Sequence, residues 1–171
     1  MKKLSVLLCV PLLLTMTACG GDAAPAPTAQ TEVPTEAAAV PVTMNMQELY
    51  DTVTAMENIP EMLPLDADMQ LSFCGIAAED CAQAVVAICS DGLRTDEFWM
   101  IEAVDAAALE RIQQLAENRL TAKGEESITY SPEQYAVVQK AEIIVCDNYF
   151  ILLVSPEVTA LAEYVRSTAG I

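Results

Sequence analysis

Apolar residues just beyond residue 43 recur at helical spacing. The pattern predicts an amphipathic helix from Met46 to Glu57, with Asn45 as its N-cap. The stretch "DADMQLSFCG" predicts a second, short helix that is capped by Asp66 and ended by Gly75. Two helices are therefore expected before the first predicted strand.

Two strands and a long helix follow. The segment "CAQAVVAIC" is apolar on both faces, which is typical of a central covered strand, and "EFWMIEAV" predicts its antiparallel partner. Asp105 is predicted to cap the long helix, and Gly124 is expected shortly beyond the end of that helix. The predicted buried stripe of the helix consists of Leu109, Ile112, Leu115, Ala116 and Leu120.

The last third of the chain predicts a hairpin and two more helices. In "EIIVCDNYFILLV", two apolar runs flank Asp147 and Asn148, which tolerate the positive φ of a tight turn. "SPE" sequences at Ser131 and Ser155 each predict a helix start, because a capping serine precedes a proline. The predicted fold class is α+β, with two ββα units forming a four-stranded, mainly antiparallel sheet. Helices cover this sheet, and an N-terminal helix and a short second helix complete a single domain over residues 44–171.

The N-terminal segment predicts an export signal. Residues 1–18 combine a basic "MKK", an apolar "LSVLLCVPLLL" and a small-residue exit, and the apolar run is too short for a bilayer of about 30 Å. Residues 16–19 resemble the bacterial lipobox, in which the chain is cut before a cysteine that receives a diacylglyceryl group. Cys19 is therefore the predicted lipid-attachment site, since two acyl chains such as palmitate anchor a protein stably. The alternative is an ordinary secretory signal that happens to contain cysteine.

Residues 19–43 are rich in Ala, Pro and Thr. They contain four prolines and no Lys or Arg, and they have too little apolar surface to offset the entropy of ordering. We expect a disordered tether that reaches about 70 Å at ~3.1 Å per residue. It would hold the domain on the extracytoplasmic face of the bacterial cell membrane.

Charge and the lack of histidine narrow the function. The chain has 25 acidic and eight basic residues, for a net charge of −17. Such a field repels nucleic acid and favours a monomer, so no nucleic-acid partner is expected. The chain has no His, which excludes Ser-His-Asp and Cys-His catalysis. With no G-x-S-x-G and no phosphate-binding Gly-rich loop, an enzyme is not expected.

Four cysteines lie beyond the predicted tether, at Cys74, Cys81, Cys89 and Cys146. None forms a C-x-x-C pair, so no metal or cofactor is predicted. We favour buried free thiols, because Cys81 and Cys89 alternate with apolar residues along a predicted strand. Disulfides are the alternative in an exported protein, with Cys89 and Cys146 as the first candidate pair.

Arg119 lies on or beside the apolar stripe of the long helix. A guanidinium there needs a partner, because an unpaired buried charge costs several kcal/mol. Glu97 shares a predicted strand face with Trp99 and is the candidate partner, and Tyr130 is a candidate to close the cluster. We interpret the cluster as a structural ion pair. The alternative is a polar floor for a small ligand, with Trp99 as a wall.

Five short motifs recur in an order and spacing that resemble a known family. They are "LPLDADMQLSFCGI", "TDEFWMIEA", "LAENRL", "YSPEQY" and "NYFILLV". Together they resemble the small lipoproteins built on the domain of unknown function 4358, which are found mostly in anaerobic Gram-positive bacteria. The resemblance covers about residues 45–169. It implies an exported, membrane-anchored α+β domain and implies no activity.

These observations favour a non-enzymatic binding or envelope-assembly module that the lipidated cysteine holds on the membrane. Its partner would be an envelope protein or a small ligand. The first alternative is a small-ligand or peptide-binding lipoprotein associated with a transporter. The second is an enzyme that uses carboxylates and Arg119. An apolar pocket lined by Trp99 would favour ligand binding, and carboxylates converging in a cleft would favour catalysis.

Overall fold

The computed structural model describes residues 43–171. The predicted signal peptide, Cys19 and all of the predicted tether except Thr43 lie outside these residues. The helices are α1 (Met46–Thr54), α2 (Ala67–Met69), α3 (Ala106–Tyr130), α4 (Pro132–Val138) and α5 (Val158–Ala169). The strands are β1 (Met62–Pro64), β2 (Cys81–Cys89), β3 (Glu97–Ala103), β4 (Glu142–Cys146) and β5 (Tyr149–Val154). A π-helical turn, Gln70–Cys74, continues α2.

The strands form one antiparallel sheet in the order β1-β2-β3-β5-β4. The α+β class is confirmed, and the expected four strands in two ββα units are only roughly right, because the sheet within residues 43–171 has five strands. The additional strand, β1, pairs with β2 through Met62 opposite Cys89 and Pro64 opposite Ala87. The sequence does not predict β1, because a strand of three residues is too short to show the alternation of apolar and polar positions. The missing N–H of Pro64 costs little at the sheet edge.

Helices cover both faces of the sheet. Side chains of β3 alternate, with Phe98 and Met100 packed on one face and Trp99 and Ile101 on the other. Helices α1 and α5 cover the Phe98 face, whereas α3 and α4 cover the Trp99 face. Strands β3 and β5, which are neighbours inside the sheet, are buried on both faces and almost wholly inaccessible to solvent. The domain therefore has three layers and two hydrophobic cores.

Four of the five predicted helix caps are confirmed. The Asn45 side chain accepts from the backbone N–H of Gln47 and Glu48, and α1 ends at Thr54, before the predicted Glu57. Asp66, Asp105 and Ser131 each accept a backbone N–H three residues ahead. At Ser155 the predicted helix start is wrong by two residues. The serine Oγ accepts from the N–H of Glu157, but residues 156–157 form a turn and α5 begins at Val158.

The predicted end of α3 is wrong, because the helix continues through Gly124 to Tyr130. Gly124 is buried where α4 packs on α3, and a Cβ there would lie 3.7 Å from Tyr135 Cε2. This packing offsets the cost of about 1 kcal/mol that glycine imposes inside a helix. The helix ends before Pro132 instead, because proline disfavours the helical conformation of the preceding residue. In the predicted stripe, Ile112 and Ala116 are fully buried, and the leucines are partly buried.

Two turns need a residue with a positive φ, a conformation that glycine and short polar residues tolerate. Gly75 ends the π-helical turn with φ 75°, and a Cβ there would lie 2.9 Å from Leu115 Cδ2. The predicted hairpin at Asp147 and Asn148 is confirmed, with φ 50° at Asp147. None of the helices within residues 43–171 has the length and apolar character that crossing a bilayer requires.

Candidate functional site

The candidate site centres on Glu97, the first residue of β3 and a fully buried carboxylate. Arg119 Nε lies 3.1 and 3.2 Å from its two oxygens, and Arg119 Nη2 lies 3.0 Å from Oε2. Lys123 Nζ lies 2.8 Å from the same Oε2. The indole N–H of Trp99 donates to Oε1 at 2.7 Å. Both oxygens of this carboxylate are therefore satisfied inside the core.

Helix α3 supplies both cations. Arg119 and Lys123 are four residues apart, so they lie one above the other on the helix face that packs against the sheet. Their side chains are 27% and 12% exposed, which places them between Glu97 and solvent. Lys123 also donates to the carbonyl of Thr95 at 2.9 Å, and this bond fixes the loop before β3.

The structure brings three of the four predicted cluster residues together. Arg119 pairs with Glu97 as the sequence suggested, and Trp99 lies beneath the pair, where it donates a hydrogen bond and is fully buried. Trp99 is therefore no wall of a ligand site. Tyr130 is 84% exposed, and the side-chain hydrogen bonds of Glu97 within residues 43–171 come from Trp99 and Arg119 and not from Tyr130. Sequence reasoning missed Lys123, although its position one turn beyond Arg119 was a usable signal.

The charges around Glu97 set its protonation state. Burial alone would raise the pKa of Glu97, but the Lys123 ammonium and the Arg119 guanidinium outweigh burial and hold that pKa below its ordinary value. For Arg119, burial opposes its charge, and the hydrogen bonds to Glu97 outweigh burial and raise its pKa. The pair is therefore ionised throughout the physiological pH range.

A second ion pair lies in the loop between β2 and β3. Arg94 Nε lies 3.0 Å from Asp96 Oδ2, and Arg94 Nη2 lies 3.2 Å from Oδ1, a two-pronged contact. Asp96 is 1% exposed, whereas the Arg94 side chain is 33% exposed. As at Glu97, the carboxylate is sealed below a cation that faces outward. The neighbouring Thr95 donates its N–H to Gln134 Oε1 at 2.9 Å, which joins the loop to α4.

The two ion pairs share one cleft of about 660 Å³. The β2–β3 loop, the C-terminal half of α3 and the start of α4 enclose this cleft. Its lining includes Leu93, Arg94, Arg119, Lys123, Tyr130 and Gln134. Leu93 and Tyr130 are 85% and 84% exposed and give the rim apolar surface beside the exposed Glu126, while the floor carries the cations. Tyr130 thus belongs to the cleft although it does not belong to the ion-pair cluster.

Positive charge is concentrated in this cleft. Residues 43–171 contain six basic residues against 22 acidic ones, and three of the six line the cleft. Arg94 and Arg119 contact Asp96 and Glu97 through Nε and Nη2. Their Nη1 groups donate to no acceptor within residues 43–171. The cleft therefore offers guanidinium donors that the protein itself does not use.

The cysteines contribute no reactive group to the cleft. All four of those beyond residue 43 are free, including the candidate pair Cys89 and Cys146. Cys74 is buried near the ion-pair cluster, and desolvation together with the Glu97 charge raises its pKa to about 11. Cys89 lines the cleft but is also buried, whereas Cys81 and Cys146 are only partly buried, so the expectation of buried thiols is wrong for these two. Among the described residues, no group of three His, Cys, Asp or Glu side chains is arranged to hold a metal ion.

Comparison with known proteins identifies a family. The domain of unknown function DUF4358 matches residues 54–155, from the end of α1 to the residue after β5. This span contains Glu97, Trp99, Arg119, Lys123 and the rest of the cleft lining. No curated protein and no solved structure matches the chain. Since the match covers more than half of the sequence, the chain belongs to the DUF4358 family.

Proposed function

We propose that this protein is an exported, membrane-anchored lipoprotein whose domain is a non-enzymatic binding module, with the cleft as its binding site. The observation that carries the proposal is the cleft floor, where Arg94, Arg119 and Lys123 cover two buried carboxylates. In a domain so rich in acidic residues, three cations in one concave site are a specific recognition feature.

The protonation states favour binding over catalysis. A general acid or base works best with a pKa near the operating pH, whereas Lys123 and Arg119 hold the pKa of Glu97 below its ordinary value. A nucleophilic cysteine needs a thiolate, whereas burial raises the pKa of Cys74 to about 11. The carboxylates here are bound by cations, so they are poorly suited to proton transfer.

The size of the cleft favours a small ligand or the end of a peptide. Small-molecule sites in proteins have volumes of about 300–1,000 Å³, and the cleft has about 660 Å³. This observation supports the second candidate function, a ligand-binding lipoprotein associated with a transporter, over a module for envelope assembly. A flat surface would have supported the assembly module instead.

The membrane anchor in this proposal is Cys19. Two acyl chains attached there would hold the protein at the extracytoplasmic face of the cell membrane. Residues 19–43 would act as the tether, and their four prolines and lack of basic residues support an extended chain. The domain would then meet its ligand outside the cytoplasm.

The test of the binding function uses the two exposed rim residues. The full-length protein is incubated with a small-molecule extract of cells, and the retained molecules are identified by mass spectrometry. A Leu93→Ser/Tyr130→Ala variant changes the rim without touching an ion pair. Ile128→Ser is the matched control, because Ile128 is 56% exposed on α3 and does not line the cleft.

The proposal expects a molecule that wild type and the Ile128→Ser control retain and that the rim variant loses. Equal retention by all three proteins, or retention of nothing by any of them, would reject the cleft as a binding site.

A further inference from the structure

The side chains on the cleft floor point to one chemical class of ligand. Resting on the function proposed above, we infer that the cleft binds the carboxylate group of a small monoanionic molecule with an apolar body, through the unused guanidinium donors of Arg94 and Arg119. The first support is geometric, since Arg94 and Arg119 both line the cleft, and within residues 43–171 their hydrogen bonds to Asp96 and Glu97 use Nε and Nη2 and leave Nη1 without an acceptor. Guanidinium groups donate to carboxylates in a fixed planar geometry that suits this role.

The local charge balance favours a single negative charge. Arg94, Arg119 and Lys123 carry three positive charges, and the buried Asp96 and Glu97 carry two negative charges. Against these two buried carboxylates alone, one positive charge is left over on the floor. A monoanion neutralises it, whereas a dianion such as a phosphate monoester would leave excess negative charge near two buried carboxylates. Glu126 also lines the cleft, and its exposed carboxylate acts on Arg119 and offsets part of this remaining charge, which disfavours a dianion further.

The rim accounts for the apolar body. Leu93 and Tyr130 are large side chains that project into solvent at the mouth of the cleft. An apolar group of the ligand would cover them while its carboxylate reaches the floor. Hydrogen bonds from Thr95 to Gln134 and from Lys123 to Thr95 hold the loop and both helices in place, so the site is largely preformed.

The experiment measures binding of four probes to the full-length protein by isothermal titration calorimetry. N-acetyl-leucine represents a peptide C-terminus, and 4-methylpentanoate represents a free organic acid with the same side chain. N-acetyl-leucinamide is the neutral match of the first probe, and isobutyl phosphate supplies the dianion. Arg94→Gln is the test variant. Arg166→Gln is its matched control, because Arg166 of α5 forms an ion pair with Glu142 of β4 and neither residue lines the cleft.

The inference expects at least one carboxylate probe to bind wild type and Arg166→Gln alike. Binding should weaken by about tenfold or more in Arg94→Gln and for the neutral amide, the effect of losing one charge-assisted hydrogen bond. The tighter of the two carboxylates indicates whether the source is a peptide end or a free acid. Because the amide comparison uses wild type alone, it decides the question even if Arg94→Gln fails to fold.

Three outcomes would overturn the inference: equal binding of the amide, tighter binding of isobutyl phosphate, or no binding of any probe. Each of these results can be told apart from a failure of the proposed binding function, which the cell-extract experiment tests. If the rim variant still loses a molecule from the cell extract, the cleft remains a binding site and only the carboxylate class is wrong. If nothing in the extract depends on the rim, both conclusions fall together.

Discussion

Replacing Arg119 by methionine removes one of the two cations that hold the buried carboxylate of Glu97. Methionine keeps the helix propensity and much of the side-chain length, so the charge and its hydrogen bonds are the main loss. Breaking a buried ion pair costs about 3–5 kcal/mol when the remaining charge has no other partner. Glu97 keeps Lys123 and Trp99, so we expect Arg119→Met to lower the free energy of unfolding by about 2 kcal/mol.

A double-mutant cycle isolates the pair. The second single variant is Glu97→Gln, and the double variant removes the guanidinium and the negative charge together. We expect the double variant to recover about 1–2 kcal/mol relative to the sum of the singles, because contacting charges couple. Lys123 keeps the Thr95 carbonyl as an acceptor in every variant. Arg166→Met is the control, since its partner Glu142 is 32% exposed and such pairs contribute at most about 1 kcal/mol.

Urea denaturation followed by circular dichroism measures these free energies directly. The Arg119→Met variant should also melt about 6–8 °C below wild type. Additive effects at the two positions, or a loss in Arg119→Met no larger than that in Arg166→Met, would refute the reasoning. Either result would mean that the Arg119 side chain does not stabilise the buried carboxylate in solution.

Three further predictions concern titration, thiols and anchoring. Folding lowers the pKa of Glu97, so the ionised carboxylate stabilises the fold fully above pH 4.5, its ordinary value, and this contribution is lost as the pH falls through the lowered pKa. In Glu97→Gln, the free energy of unfolding measured with urea should therefore fall less steeply on acidification. A thiol reagent should label Cys146 first and Cys81 slowly, because burial and the Asp80 charge raise the pKa of Cys81 to about 11, while the buried Cys74 and Cys89 stay unlabelled. Mass spectrometry of peptides after denaturation without reductant should then find all four cysteines labelled, and a missing one would reveal a disulfide. Cys19→Ala should release the protein from membranes or leave an uncut precursor, and a native N-terminus without lipid would contradict the anchor.

The elements that could be predicted from sequence are those set by local chemistry. Side-chain caps at Asn45, Asp66, Asp105 and Ser131 begin their helices as expected, because a capping oxygen acts within three residues. The hairpin at Asp147 follows the same logic. The errors come from tertiary contacts. Strand β1 exists because β2 offers it an edge, and α3 passes Gly124 because α4 packs there.

The candidate site also has one part that the sequence predicts and one part that depends on tertiary contacts. The pairing of Arg119 with Glu97 followed from the cost of leaving a buried charge unpaired, a rule that needs no coordinates. The cleft itself could not be predicted, because Arg94 and Tyr130 meet Lys123 only when the β2–β3 loop lies against α3 and α4. Lys123 shows no apolar or motif signal of its own. Its spacing one turn beyond Arg119 indicates only that it lies on the same helix face, and the distance of 2.8 Å from its Nζ to Glu97 Oε2 is what shows the contact.

The position of Trp99 has an optical consequence. It is the only tryptophan in the chain, its ring is fully buried against Phe150, and its N–H donates directly to the central carboxylate. The emission of an indole responds to the charge and polarity around it, and all of the tryptophan emission of this protein comes from one chromophore beneath the cleft. Protonating Glu97, or placing an anion above it, would shift this emission while the fold stays intact, and unfolding would shift it to the red. The protein thus contains an intrinsic reporter of its own ion-pair core.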